Sequence, residues 1–430
     1  MDIGGTRAAS ADPEMRVLLV GGGGREHAMG WALARSPRVN ELISLPGNPG
    51  LAELGPIVEG VAATDVGAIA ALARIQGVDL VVVGPEAPLA AGLIDALQQL
   101  GIRAFGPTRA AARLEASKAF AKDVMVRAGV PTADAWVFEN RDAAEAHLTD
   151  QPGPYVVKAD GLAAGKGVLV TEDRSAALAW VERCFEGGFG RAGATVVIEE
   201  YLGGPELSVF AVSDGTDAVA LQPARDYKRL LDADDGPNTG GMGSYSPVDL
   251  PDGLVEQVRT EIILPVLQTM ATDGHPYVGF IYAGLVLTAE GPKVIEFNAR
   301  LGDPETQAVL PRLETDFLTV IEAALDGEVA GLTLAWSTQA AVNVVLAAAG
   351  YPESPRHGDP ITGIAGLGEH VLVFQAGTAL DDAGRLITDG GRVLSVVGLG
   401  DTVTEARDRS YRAAQQISFA GCHHRSDIAR

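Results

Sequence analysis

Two lysines and a run of small residues mark the stretch Tyr155–Val170, YVVKADGLAAGKGVLV. An apolar strand delivers Lys158. A loop from Gly161 to Gly167 carries Gly165 and Lys166, and Val168–Val170 reads as a returning strand. Without bulky side chains, backbone N–H groups can approach an anion closely, and the flanking lysines add full positive charge. That combination suits a polyphosphate. The order is not that of a P-loop, which sets G-x-x-x-x-G-K-[ST] between a strand and a helix. Because a strand follows here, the segment reads either as a hairpin flap over phosphates or as an ordinary glycine-rich hairpin.

A second constellation lies in KVIEFNAR, where Glu296 and Asn298 alternate on a strand end and so share one face. Two oxygen donors on one face suit Mg²⁺, which takes few protein ligands and completes its shell with water and phosphate. The alternative is a salt-bridged edge strand. Arg300 follows and could hold an anionic oxygen bidentately, with Asp303 and Glu305 just beyond. Glu199-Glu200-Tyr201-Leu202 could be a hinge whose backbone reads an adenine edge, with Glu206 reaching ribose hydroxyls, or simply a solvated acidic turn. The N-terminal GGGGREHA fails the dinucleotide fingerprint, since Glu26 or His27 stands where its third glycine belongs, and the second strand ends in Gly47-Asn48 rather than an acid. Its N–H groups at a helix start still suit a single phosphate.

These residues need elements to hold them. Strands at 16–20, 42–45 and 80–83 alternate with helical patterns, the pattern of parallel βαβ units. Ligands bind beyond the carboxyl ends of such strands, where three turns fall, at 21–25, 46–50 and Gly84-Pro85-Glu86. Helical patterns cover 66–75 and 89–100, and Thr108–Ala128 reads as one long helix carrying Lys118. Residues 131–205 form a small αβ unit holding the hairpin. Paired strands are expected at 282–287 and 294–297, helices at 254–270 and 404–418, and short strands with glycine turns in the last ninety or so residues.

Composition limits the function classes. At ~150 residues per domain, 430 residues suggest about three domains. A formal net charge of −23 disfavours non-specific nucleic-acid binding and anionic membrane surfaces, so a phosphate ligand must be held by a local basic cluster. Two cysteines, Cys184 and Cys422, permit no disulfide framework or cysteine-based zinc site and fit a reducing cytosol. Cys422-His423-His424 reads as a polar tail rather than a metal cluster. No apolar run approaches the ~18 residues of a membrane span. Residues 1–14 read as a disordered lead-in without a secretory pattern.

Taken together, GGGGREHA, PGNPG, VVGPEAPL, EASKAFAKD, VVKADGLAAGKGV, VIEEYL, DYKR, DGPNTGGMGSYSP and VIEFNARLGDPETQ resemble the ATP-grasp superfamily and, within it, the glycinamide ribonucleotide synthetases (phosphoribosylamine–glycine ligases). The segments run in family order from about residue 15 to the end. The resemblance implies an α/β multidomain fold: an N-terminal parallel α/β substrate domain (15–117), an ATP-grasp domain (118–335) with its flap subdomain, and a C-terminal β-rich domain (336–430). It implies a cytoplasmic, monomeric enzyme that uses ATP and Mg²⁺ or Mn²⁺ to join glycine to 5-phosphoribosylamine through glycyl phosphate, in purine biosynthesis.

Residue by residue, the resemblance implies that Lys118 and Lys158 contact ATP phosphates, with Gly161, Gly165, Lys166 and Gly167 closing over them. Glu199, Glu200, Tyr201 and Leu202 would lie along the adenine, Glu206 at the ribose, and Glu296 and Asn298 at the metal. Arg300 would face the transferred phosphoryl group or the glycine carboxylate. Gly23, Gly24, Arg25, Glu26, Asn48, Gly84, Pro85 and Glu86 would hold phosphoribosylamine. Asp226, Lys228, Asn238, Thr239, Gly240, Gly241 and Met242 would border both substrates, with Gly302, Asp303, Pro304 and Glu305 nearby. A metal-binding acid that many relatives carry on the preceding strand falls near Gly284 here. Either the metal has fewer protein ligands or Asp226 substitutes. The family usually has Phe at Leu301, Asn at Gly22 and often His at Tyr227. The first two changes should keep a backbone role, and the third leaves a side-chain role open. Competing readings are an ATP-grasp ligase for another acid or amine, a nicotinamide oxidoreductase, and a non-catalytic nucleotide sensor.

Overall fold

The computed structural model describes residues 14–163 and 167–430. Most of the expected lead-in, together with Gly165 and Lys166, lies outside the described residues. The N-terminal part is a four-stranded parallel sheet in the order Val39–Pro46, Met15–Gly21, Leu80–Val83 and Arg103–Phe105. Val17 to Val20 and Val81 and Val82 have no accessible surface, which is why these strands are continuous apolar runs rather than alternating ones. At the carboxyl end the first turn folds tightly onto the second: a Cβ on Gly22 would lie 2.4 Å from the Gly47 carbonyl oxygen, so this backbone approach requires glycine.

The single helix expected over 108–128 is instead two, Arg113–Ala116 and Lys118–Arg127. Ser117 between them is extended, and its hydroxyl caps the second helix by accepting from the Phe120 N–H at 3.1 Å. A serine cap competes well with helix continuation, and the Asp160 carboxylate reinforces the break by accepting from the Ala119 N–H at 2.8 Å. The 89–100 pattern likewise forms Glu86–Ala91 and Leu93–Gln99, separated by Gly92 at φ +92°.

Two antiparallel sheets follow. One orders Ala135–Phe138, Val196–Glu199, Tyr155–Ala159 and Val168–Thr171, with helices Arg141–Asp150 and Arg174–Arg183 packed on its core. The other orders Ala218–Ala220, Glu206–Asp214, Val278–Thr288 and Gly291–Asn298. A five-stranded sheet takes Ala340–Ala347, Arg392–Gly400 and Val371–Gln375 from the C-terminal part, but also Arg225–Asp226 and Gly243–Ser246 from upstream. The helix expected near 404–418 is Val403–Ala414. No helix among the described residues is long and apolar enough to cross a membrane.

Candidate functional site

A cleft of about 480 Å³ opens between the two antiparallel sheets. One end is apolar, with Ala121, Met125, Val156, Val168, Val170 and Ile295 on its walls and Glu200, Tyr201 and Leu202 along its rim. The other end is charged.

Strand pairing sets the charged floor. Lys158 sits opposite Val168 in the hairpin, and its Nζ lies 3.0 Å from a Glu199 carboxylate oxygen and 3.2 Å from the Ile295 carbonyl oxygen. Lys158 and Glu199 are both almost wholly buried. Lys122 approaches the same Glu199 oxygen at 3.4 Å and also donates to the Thr132 hydroxyl and the Ala133 carbonyl. Glu199 therefore holds Lys158 in place through its side chain. The Glu200 N–H is taken up by the Asp134 carbonyl. Lys118, placed at the start of its helix by the Ser117 break, donates to the Gly161 carbonyl at 3.1 Å. Burial lowers the pKa values of Lys118 and Lys122, and nearby carboxylates, Glu296 and Glu199 respectively, oppose the shift.

Glu296 and Asn298 do share a face: the Asn298 amide donates to Glu296 Oε1 at 3.4 Å. Burial acts to raise the Glu296 pKa, but Lys228, Lys158 and Lys118 overcome it and keep the group below the usual carboxylate range. Gly284 stands directly across the ladder from Glu296, so the position expected for a further acid is occupied by hydrogen. An ionised carboxylate and an amide oxygen beside that gap fit a small oxygen-seeking dication with few protein ligands. No cluster of three or more acidic, histidine or cysteine ligands occurs among the described residues.

Arg300 is more tightly held than its sequence context suggests. Its Nε donates to Glu86 at 3.1 Å and its guanidinium to Glu115 at 2.8 Å, Asn298 at 3.3 Å and the Leu301 carbonyl at 3.2 Å. Arg300 and Arg25 bring Glu86 down to about 2 against the effect of burial. Burial raises Glu115 despite Arg300. The Leu301 carbonyl also accepts from Arg25 at 3.2 Å, so a backbone role is retained at that position.

At the wall, Asp226, Lys228, Asn238, Thr239 and Gly240 line the cleft, as do Asp303 and Glu305. Lys228 pairs with Glu206 at 2.6 Å. Gly241, at φ +111°, packs against Pro304, where a Cβ would come within 2.4 Å of the proline ring. Met242 is fully buried, and Pro304 accepts from Ser244 through its carbonyl. Tyr227 turns away from the cleft: its hydroxyl accepts from the Ala429 N–H and its ring lies 4.9 Å from the Arg425 guanidinium.

The N-terminal turn reaches the cleft only through Arg25 and Glu86. Gly23, Gly24, Glu26, Asn48, Gly84, Pro85 and Gly302 do not line it. Glu26 accepts from the Gly23 N–H at 2.8 Å and from Arg25 Nε at 2.5 Å. The Asn48 side chain bonds Gly22, Leu51 and Gln375. In the C-terminal tail, His423 bonds the Leu230 carbonyl and His424 the Arg425 carbonyl.

Sequence reasoning missed Glu115, Lys122 and Arg392. Arg392 reaches in from the C-terminal sheet, donating to the Gly240 carbonyl at 2.5 Å and the Asp303 carbonyl at 2.6 Å. The helical spacing of Lys118 and Lys122 was the one available local signal.

Against this geometry, the comparisons are specific. Residues 15–115 match the N domain of phosphoribosylglycinamide synthetase, 116–306 its ATP-grasp (A) domain, and 341–430 its C domain. The chain belongs to the phosphoribosylglycinamide synthetase family. It is 50% identical to the phosphoribosylamine–glycine ligase of Caulobacter vibrioides over 418 residues, covering 96% of this chain and 98% of that protein. It is 51% identical to that of Streptomyces coelicolor, covering 96% and 99%. The crystal structure of the Thermotoga maritima phosphoribosylamine–glycine ligase superposes with a TM-score of 0.84 at 36% identity, covering 96% of this chain and all of that one. A biotin carboxylase domain from Hydrogenobacter thermophilus, solved with MgADP and bicarbonate, shares the fold with a TM-score of 0.73 at 17% identity, covering 96% and 92%. The three-part α/β architecture is thus that of the synthetase family, and ATP-grasp enzymes work with ATP and a divalent metal.

Proposed function

We propose that this protein joins glycine to 5-phosphoribosylamine, converting ATP to ADP and phosphate. The observation that carries the reading is the concentration of Lys118, Lys158, Glu296, Asn298 and Arg300 at one end of a cleft whose other end is apolar, within a synthetase-family chain. A carboxylate is a poor acyl donor because oxide would have to leave. A glycine carboxylate oxygen attacking the γ-phosphorus releases ADP and gives glycyl phosphate. The amine of phosphoribosylamine then attacks the acyl carbon, phosphate departs with the acyl C–O bond, and the nitrogen loses a proton. Catalysis is mainly positioning and charge stabilisation.

In this reading Lys118 and Lys158 hold phosphates, and the segment ending in Gly167 covers them. Glu200 and Leu202 meet adenine through the backbone, and Glu206 meets ribose hydroxyls, exchanging Lys228 for them. Glu296 and Asn298 would hold Mg²⁺ or Mn²⁺, which when bound neutralises phosphate charge. Arg300 faces the phosphoryl or carboxylate oxygens, and Arg25 and Glu86 border the phosphoribosylamine. The enzyme acts as a monomer in the cytosol.

The test is coupled ADP release. It is expected only with glycine and phosphoribosylamine together, and Lys158→Ala should be slowed roughly ten- to a hundredfold, the value of a hydrogen bond to a charged group. Another acid outperforming glycine would overturn the assignment.

A further inference from the structure

A hairpin reaches the cleft with its two legs, and the C-terminal tail fastens it from behind. Strands Arg229–Leu231 and Asp235–Asn238 pair antiparallel to form it. At its base Asp226 and Lys228 on one leg, and Asn238, Thr239 and Gly240 on the other, line the cleft. The Thr239 N–H ties the legs there by donating to the Lys228 carbonyl at 2.8 Å. Tyr227 lies between Asp226 and Lys228 and, by the alternation of an extended chain, points the other way, against the core of the C-terminal sheet. Residues 423–429 meet it there. This tail is itself fixed to the C-terminal unit. His423 exchanges backbone hydrogen bonds with Ala347 at 2.8 and 2.9 Å, and the Tyr411 hydroxyl donates to the Arg425 carbonyl and accepts from the Ile428 N–H, both at 3.0 Å.

From this anchor Arg425, almost wholly buried, reaches the hairpin. Its guanidinium donates to both Asp427 oxygens at 2.7 Å, to Asp234 at 2.7 Å and to the Arg229 carbonyl at 3.2 Å, and lies 4.9 Å from the Tyr227 ring centroid. Among the described residues, three that are not glycine take positive φ: Ala233 at +58°, Asp234 at +54° and Ala429 at +59°. All three lie in this seam, and each is tied across it. The Ala233 N–H donates to Asp427 at 2.8 Å, Asp234 accepts from Arg425, and the Ala429 N–H donates to the Tyr227 hydroxyl at 2.9 Å. Such conformations persist only where their surroundings over-determine them, so the seam holds the hairpin in one position against its own backbone preference. We infer that Arg425 and Tyr227 are positioning residues for the reaction: they form a clasp through which the C-terminal tail holds the hairpin carrying Asp226, Lys228 and Thr239 at the cleft. Neither residue lines the cleft, and the kinetic consequence of the clasp rests on the ligase reading.

The test compares Arg425→Ala, Arg425→Lys and Tyr227→Phe in the full-length protein, by amide hydrogen exchange and by steady-state ADP release well below the melting temperature. The Tyr227, Thr239 and Met242 N–H groups are bonded at the base of the hairpin. In Arg425→Ala they should exchange faster by about tenfold or more, while the paired strands Glu206–Asp214 and Val278–Thr288 keep their protection. The kcat/KM for glycine and phosphoribosylamine should fall roughly ten- to a hundredfold, as expected when groups near the reaction are displaced from a distance. KM for ATP, with adenine at the apolar end of the cleft, should stay within about threefold. Arg425→Lys keeps the charge but not the planar fork and should recover part of the loss. Tyr227→Phe removes one hydroxyl and should lose about fivefold; it serves as the readout if the alanine variant does not fold. Faster exchange with unchanged kcat/KM would overturn the inference, because the clasp would then serve stability alone. So would unchanged exchange in the hairpin, or equal rises in KM for all three substrates. A wild type without glycine-dependent ADP release would refute the ligase reading instead, and the exchange result would still decide whether the tail holds the hairpin.

Discussion

Two of the glycine-rich segments that follow strands, the N-terminal turn and the hairpin after Lys158, lie in contrasting surroundings. In the N-terminal turn the polar groups close on one another. Glu26 takes the Gly23 N–H and Arg25, Asn48 holds the Gly22 carbonyl, and the His27 ring accepts the Gln375 N–H at 2.8 Å. The hairpin that follows Lys158 leaves Leu162 and Val170 more than a third exposed at the mouth of the cleft. Its inner lysine is held from the neighbouring strand by Glu199. Similar composition thus yields a fixed brace in one place and, in the other, a cleft mouth edged by part-exposed Leu162 and Val170. In the N-terminal turn the donors meet the buried Glu26 carboxylate, whereas the described residues of the hairpin place apolar side chains, Leu162 and Val170, at the cleft mouth.

Substitutions in the brace should show up as stability, and substitutions at the rim and floor as turnover. The largest effect is expected from Glu26→Ala, which breaks a buried ion pair and leaves Arg25 without its closest carboxylate. A loss of about 3–5 kcal/mol in urea unfolding is expected, with little change in KM for ATP. A turn that tolerated this change would not be a brace.

His27 should give a comparable effect through pH. Burial lowers its pKa from 6.5 to about 4, and the Gln375 N–H requires an unprotonated Nδ1. Below pH 6.5 the unfolded chain takes up a proton that the folded chain refuses. Stability should therefore fall as the pH drops from about 6.5 towards 4, by about 3 kcal/mol in all, and be insensitive to this group above that window. Urea midpoints measured across the range should follow this slope in the wild type and flatten in His27→Gln.

On the floor, Glu296→Gln should cut turnover on the order of a hundredfold, partly restored by excess Mg²⁺, while the unfolding midpoint stays near the wild-type value. Smallest of all, Leu162→Ser at the rim should raise KM for ATP only a few-fold, consistent with ~1 kcal/mol of apolar contact, and leave stability unchanged. A large drop in its melting temperature would mean that the rim is as braced as the turn.

The strands, their order along the chain and the shared face of Glu296 and Asn298 were legible because period-two alternation and apolar runs are local signals. The break at Ser117 was not, because the helical pattern continues across it and the competing partner, Asp160, lies 41–43 residues away. Glu115 reads as an ordinary helical acid until the chain brings Arg300, 185 residues on, against it. Arg392 carries no local mark at all, since its partners belong to the Gly240 loop and Asp303. Side chains that orient others depend on contacts that no short window contains.

The five-stranded sheet has a practical consequence. Because Arg225–Asp226 and Gly243–Ser246 are hydrogen-bonded into the same sheet as Ala340–Ala347, the loop between them is an insertion in the C-terminal unit as much as a part of the nucleotide-binding one. Cutting the chain before residue 340 would strip the partner from Gly243–Ser246 and expose a raw edge. Chimaeras that exchange the last ninety residues between orthologues would need to carry residues 225–246 along, or they would mismatch a seam that runs beside the cleft.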